Sequence, residues 1–154
     1  MRGVILIRSA LISLFLVASV FAPARADDAI GQIKMASGEV AVLRGGVSQK
    51  VAAGDRVFQS DVLTTGPDGS LGITFADNSM MSLGPDSKLS LDEFRFDTTT
   101  HEGVFDSSLA KGTLAVKSGQ IVKQTPEAMK VRAPGALLGV RGTEFVVRAD
   151  GGGQ

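Results

Sequence analysis

GPDGSLGITFADNSMMSLGPDSKLSL, residues Gly66 to Leu91, repeats one short pattern three times. Asp68, Asp77 and Asp86 recur every nine residues, each inside a turn cluster: Pro67-Asp68-Gly69-Ser70, Asp77-Asn78-Ser79 and Pro85-Asp86-Ser87. After each turn, apolar residues alternate with small or polar ones: Leu71, Ile73 and Phe75, then Met81 and Leu83, then Leu89 and Leu91. Period-two alternation between turn signals marks a half-buried strand. Strands this short cannot bury a face alone, so the pattern predicts a ladder that gains its core by stacking neighbour on neighbour.

Upstream, Glu39 to Arg44 reads as a strand with Val40 and Val42 on one side, and Gly45-Gly46 supplies the positive φ of a tight turn before Val47 to Val51 returns. Ala53-Gly54-Asp55-Arg56 reads as a turn, Asp61 to Thr65 as a strand entering the ladder, and Asp27 to Met35 as a lead-in. Downstream, Leu89 and Leu91 are odd while Phe94 and Phe96 are even, so a bulge at Asp92-Glu93 is needed to keep them on one side. Asp97 to Glu102, with three threonines and the only histidine, reads as exposed loop. Ser107 to Lys111 reads as one helical turn, Gly112 to Val116 as a strand, and Gln120 to Lys123 as a short strand-like piece. Met129 to Ala133, Ala136 to Val140 and Thr143 to Arg148 follow as strands, parted by Pro134-Gly135 and Arg141-Gly142. No sustained three-four periodicity follows the N-terminal segment, so helix content is expected to be low.

The N-terminal segment is of another kind. Arg2 and Arg8 flank the start of an apolar run that continues to Phe21, and Ala24-Arg25-Ala26 supplies the small residues of a cleavage site. Residues 1–26 therefore read as a secretory signal peptide. The alternative, an uncleaved anchor, needs a run that spans ~30 Å of hydrocarbon, which this one barely does. Removing 26 of 154 residues leaves 128, one domain by length and enough for a core without staples. That domain is expected over 27–150, all-β, solenoid-like or rolled through short strands, with a two-sheet sandwich as the alternative. Residues 151–154 are expected to form a disordered glycine tail.

Composition narrows the function classes. The chain has no cysteine, so it relies on no disulfide and offers no thiolate or lipid-anchoring site. Without Arg2, Arg8 and Arg25, 13 basic residues stand against 16 acidic ones, a net charge of −3 that argues against nucleic acid as a partner. All eight aromatic residues are Phe, which disfavours a site that stacks sugars or cages ammonium groups on Trp or Tyr.

Val140-Arg141-Gly142-Thr143-Glu144-Phe145-Val146-Val147, preceded by Val131-Arg132-Ala133-Pro134-Gly135-Ala136, resembles the closing signature of the FecR-type domain. Gly38-Glu39-Val40, Gly54-Asp55, Asp61-Val62-Leu63-Thr64-Thr65-Gly66, Asp77-Asn78-Ser79 and Leu114-Ala115-Val116 follow that family's order, so the resemblance runs from about Gly31 to Arg148. FecR proteins are inner-membrane regulators whose periplasmic part senses a TonB-dependent outer-membrane receptor and signals to a sigma factor through a short cytoplasmic N-terminal domain. This chain departs from that layout, because no cytoplasmic segment precedes its apolar run and the run carries a cleavage site. The resemblance thus implies a stand-alone all-β periplasmic domain that works by protein contact.

Several residues invite chemistry. Asp68, Asp77 and Asp86 suggest a calcium-binding β-roll, but proline precedes two of them and the glycine-rich pattern of such rolls is missing, so capping of their own turns is the preferred reading. His101 is the sole candidate for proton transfer near neutral pH, and no Ser, Cys or second His stands at a catalytic spacing from it. Arg141, Thr143 and Glu144 form the most family-specific cluster, read as a tight bend at Gly142 with an Arg141–Glu144 ion pair and with Phe145 and Val147 inward. Of the adjacent Met80 and Met81, one must face out, as a soft binding surface or simply an exposed Met.

The expected function is a non-enzymatic periplasmic protein-binding and signalling module. No catalytic residue, cofactor or metal site is assigned, and no membrane span is expected after cleavage. The partner is expected to be another periplasmic or envelope protein. The alternatives are a structural or surface-matrix component self-associating through sheet edges, and a calcium-stabilised β-roll.

Overall fold

The structure, a computed structural model, describes residues 28–140 and 142–151. The expected signal peptide, Arg141 and nearly all of the expected disordered glycine tail lie outside the described residues. Over the described residues the domain is all-β, a curled half-barrel of twelve strands with one short helix.

The strands are β1 (Gly31–Ser37), β2 (Val40–Arg44), β3 (Val47–Lys50), β4 (Arg56–Val57), β5 (Val62–Thr65), β6 (Ser70–Phe75), β7 (Met80–Leu83), β8 (Lys88–Phe96) and β9 (Gly103–Lys117). After the helix α1 (Gln120–Gln124) come β10 (Met129–Ala133), β11 (Ala136–Gly139) and β12 (Glu144–Ala149). The long β9 belongs to both halves of the curl. Its second part lies between β7 and β12, completing one half in the order β4-β1-β6-β7-β9-β12. Its first part lies between β8 and a parallel β10, completing the other half in the order β3-β2-β5-β8-β9-β10-β11.

The core fills the space between the halves. Leu71, Ile73, Phe75, Met81, Leu83, Leu89 and Leu91, the inward phase of the ladder, are all buried. Phe75 from one half meets Phe94 and Phe105 from the other, at centroid distances of 5.9 Å and 4.6 Å. Each such buried side chain contributes about 1.5–3 kcal/mol of transfer free energy. The bulge at Asp92-Glu93 is present as a register shift between Leu91 and Glu93, and it returns Phe94 to the core.

The ladder is rolled, and its strands do not stack in chain order. β6 pairs β7, whereas β5 pairs β8 and β2. The three turns explain why. Phe75 to Ser79 is a hairpin within one half, with Asn78 at φ 64° as its left-handed residue. The two Gly-Pro-Asp turns are instead crossovers between halves, and they run side by side: Asp86 N–H donates to Gly66 O (3.0 Å) and Thr65 Oγ1 to Gly84 O (2.7 Å). Gly38-Glu39 and Gly112 cross beside them, forming a seam. At Gly38 (φ 68°) a Cβ would fall 2.3 Å from Asp68 O, and at Gly112 (φ 94°) 2.1 Å from Ser87 Oγ, so both positions need glycine.

Three local expectations are corrected. The lead-in before Met35 contains β1, whose alternation is broken by a register shift between Ile33 and Met35. Ser107 to Lys111 is strand, because Ser107 occupies an inward position between Phe105 and Leu109 and masks the apolar alternation. Gln120 to Lys123 is helical, and α1 turns Ile121 and Val122 into the core.

Candidate interaction surface

The family-like motifs are occupied with structure. Asp61, fully buried, accepts from Arg44 Nε and Nη2 at 2.7 Å each and from Phe58 N–H at 2.9 Å. Arg44 also lies 4.3 Å from the centre of the Phe58 ring. The Asp61 hydrogen bond holds the Arg44 guanidinium above its ordinary pKa. Thr65 Oγ1 accepts from Ser87 N–H at 2.9 Å, and Ser87 Oγ accepts from Thr113 N–H at 3.0 Å. Asp61 to Gly66 therefore fastens the curl, with Asp61 at one side and Thr65-Gly66 at the seam.

The closing segment is fastened too. Ser118 N–H donates to Thr143 O and Ser118 Oγ to Gly142 O, both at 2.8 Å. Glu144 is exposed and pairs with Lys117 at 3.4 Å; the expected Arg141 partner lies outside the described residues. Val147 is buried and Phe145 half-buried.

The repeated aspartates have three different environments. Asp77 is buried and accepts from its own turn, Ser79 N–H at 3.0 Å and the Ser79 hydroxyl. Asp68 is exposed and accepts a long 3.4 Å bond from Glu39 N–H across the seam. Asp86 is exposed at φ 51°. Among the described residues no group of three or more His, Cys, Asp or Glu is gathered to hold a metal ion. His101 is exposed and stacks on Phe96 with centroids 6.1 Å apart. Asp97 in the same loop accepts from Thr99 and Thr100 N–H, and these bonds, led by Thr100, hold its carboxyl below its ordinary pKa.

The surface that stands out is the outer face of the β1-β6-β7-β9-β12 half. Register aligns Met35, Gly72, Ser82, Ala115 and Val146 in one row across the five strands. The middle three are small, but the Met35 side chain packs over Gly72, its Cε 3.9 Å from where a Cβ there would stand, so the row is open as a trough only over Ser82 and Ala115. Met35 and Val146 end it, 52% and 69% exposed, and Met80 stands 47% exposed in the next row. The described groove at its β7-β9-β12 end has a volume of about 330 Å³ and includes Met80, Ser82, Ala115 and Val146. Met80 is thus the outward residue of the methionine pair and Met81 the buried one. Met35 and the trough went unread in the sequence, although Gly72 and Ser82 are the outward phase of the ladder itself. A larger hollow of about 500 Å³, between Asp28–Ile30 and Phe94–Phe96, includes Gln59, whose Oε1 accepts from Phe94 N–H at 3.1 Å.

A family model described as FecR protein matches residues 61–154. The chain belongs to the FecR family. The FecR match begins at Asp61, the buried carboxylate, and takes in the ladder, β9 and the closing strand. Gly38-Glu39-Val40 lies ahead of the match, although β1 and β2 pair directly with matched strands of the FecR region. No curated protein and no solved structure matches this FecR chain. Among the described residues no helix is long and apolar enough to cross a membrane.

Proposed function

We propose that this FecR-family chain is a non-enzymatic protein-binding and signalling module of the cell envelope, delivered to the periplasm by residues 1–26. The observation that carries the reading is the groove on the outer face, where Met80 and Val146 flank a floor of Ser82 and Ala115, with Met35 packed over Gly72 beyond it. Small residues let a partner's backbone approach the sheet, and methionine adapts its unbranched side chain to the shape it meets. The occupant is an extended apolar segment of another envelope protein. The buried carboxylates support the same reading, since Asp61 and Asp77 are committed to hydrogen bonds within the fold.

A photo-crosslinking amino acid at Met35, expressed in cells, tests this. It should give one defined adduct with an envelope protein, which Met80→Lys reduces and which the same probe at Lys88, on the other half, does not give. Equal adducts from both positions, or none from Met35, would contradict the reading.

A further inference from the structure

We infer that β12 is the contact strand of a two-fold dimer, in which it pairs antiparallel with β12 of a second copy of this chain. The inference rests on the β12 edge rather than on the face of the sheet, and shares Val146 with the partner groove proposed above. Among the described residues β12 is an edge strand, bonded to β9 alone. In an antiparallel ladder, residues alternate between bonding one side and the other. Ser118 N–H donates to Thr143 O, so the odd residues of β12 bond β9, and Gly84 N–H donating to Thr113 O places the odd residues of β9 on the β7 side, in agreement. The backbone groups of Glu144, Val146 and Arg148 therefore point to the open edge.

Their side chains share the exposed face, and Val146 is the most exposed large hydrophobic residue among those described. Around Val146 the strand is self-complementary. A two-fold axis there sets Val146 against its copy, Glu144 against Arg148 of the second copy, and Arg148 against its Glu144. Phe145 then faces Val147 of the copy on the inner side and gains cover. Sliding the pair by two residues in either direction loses both opposite-charge pairs, and a parallel arrangement sets like against like, so charge selects this register. The present partners of these two residues, Lys117 at 3.4 Å and Asp150 at 3.8 Å, are exposed and weakly held. Glu144 to Ala149 contains no proline and its register with β9 has no bulge, and its two edge charges, Glu144 and Arg148, complement each other across the two-fold axis. Pairing closes about six backbone hydrogen bonds and leaves no open β12 edge.

Sedimentation equilibrium of the purified chain reads the result. The wild type should dimerise with concentration and stop at two. Glu144→Arg or Arg148→Glu alone should weaken dimerisation about tenfold, because each sets like charges opposite one another twice per dimer, and the double exchange should restore it. Val146→Pro should abolish the dimer, since it removes an N–H that no described strand of the same chain uses. Circular dichroism and thermal melting of each variant check that the fold is intact. A chain that stays monomeric, a dimer insensitive to these changes in folded variants, or growth into larger oligomers would overturn the proposal.

Discussion

Asp61 shows how the family pattern acts at the level of one residue. Its carboxylate is fully buried yet has three donors, two of them on one guanidinium. Removing it leaves Arg44 and the Phe58 N–H without their acceptor. Breaking a fully buried pair is strongly destabilising, but Arg44 is 39% exposed and water would take up part of the loss. Asp61→Ala should therefore lower stability by about 2–3 kcal/mol in urea unfolding. A change near zero would show that the ion pair is ornamental.

Asp97 makes a pH-dependent prediction at the same scale. Its carboxyl is held below the ordinary value of 3.8 by bonds from Thr100 and Thr99 N–H. A depressed folded pKa means that the stabilisation is fully present above the unfolded value and is lost as pH falls through the folded one. The amide resonances of Thr99 and Thr100 should titrate with a midpoint under 3.8 and lose that step in Asp97→Asn. A midpoint at or above 3.8 would contradict the bonds.

Among the elements, β9 is the one that the residue pattern concealed. Ser107 sits at an inward position with its hydroxyl buried and unpartnered, between Phe105 and Leu109. An orphan hydroxyl in a core is a net loss, so Ser107→Ala should raise stability by about 1 kcal/mol, measured as a shift in the urea midpoint. Destabilisation would mean that the hydroxyl has a partner. The same serine explains why this stretch reads as a helical turn in the sequence: a polar residue in the inward phase cancels the period-two signal. β1 was hidden by its bulge near Lys34, and α1 by having only five residues, too few for a helical period to show. The ladder strands, the Gly45-Gly46 hairpin and the bulge before Phe94 were legible because strict alternation and turn residues carry them. The candidate surface is half legible in the sequence. The sequence itself marks Met80, whereas Met35 joins it only through a register between distant strands, and register is not written in either strand alone.

At the scale of the molecule, the seam decides the shape. Gly38-Glu39, Gly66–Gly69, Gly84–Ser87 and Gly112 pass from half to half side by side, and the hydrogen bonds of Thr65 and Ser87 bind them together. The nine-residue repeat is thus a repeat of crossover and hairpin rather than of stacked units. This places the apolar phase of every ladder strand in one interior.

Backbone nuclear Overhauser contacts in the isotopically labelled chain test this organisation most directly. The rolled arrangement predicts contacts of β5 with β8, at Leu63 and Leu89, and with β2, at Leu63 and Val42, together with contacts of the end of β9 with both β7 and β12. Contacts of β5 with β6 in chain order, with none to β8, would contradict it.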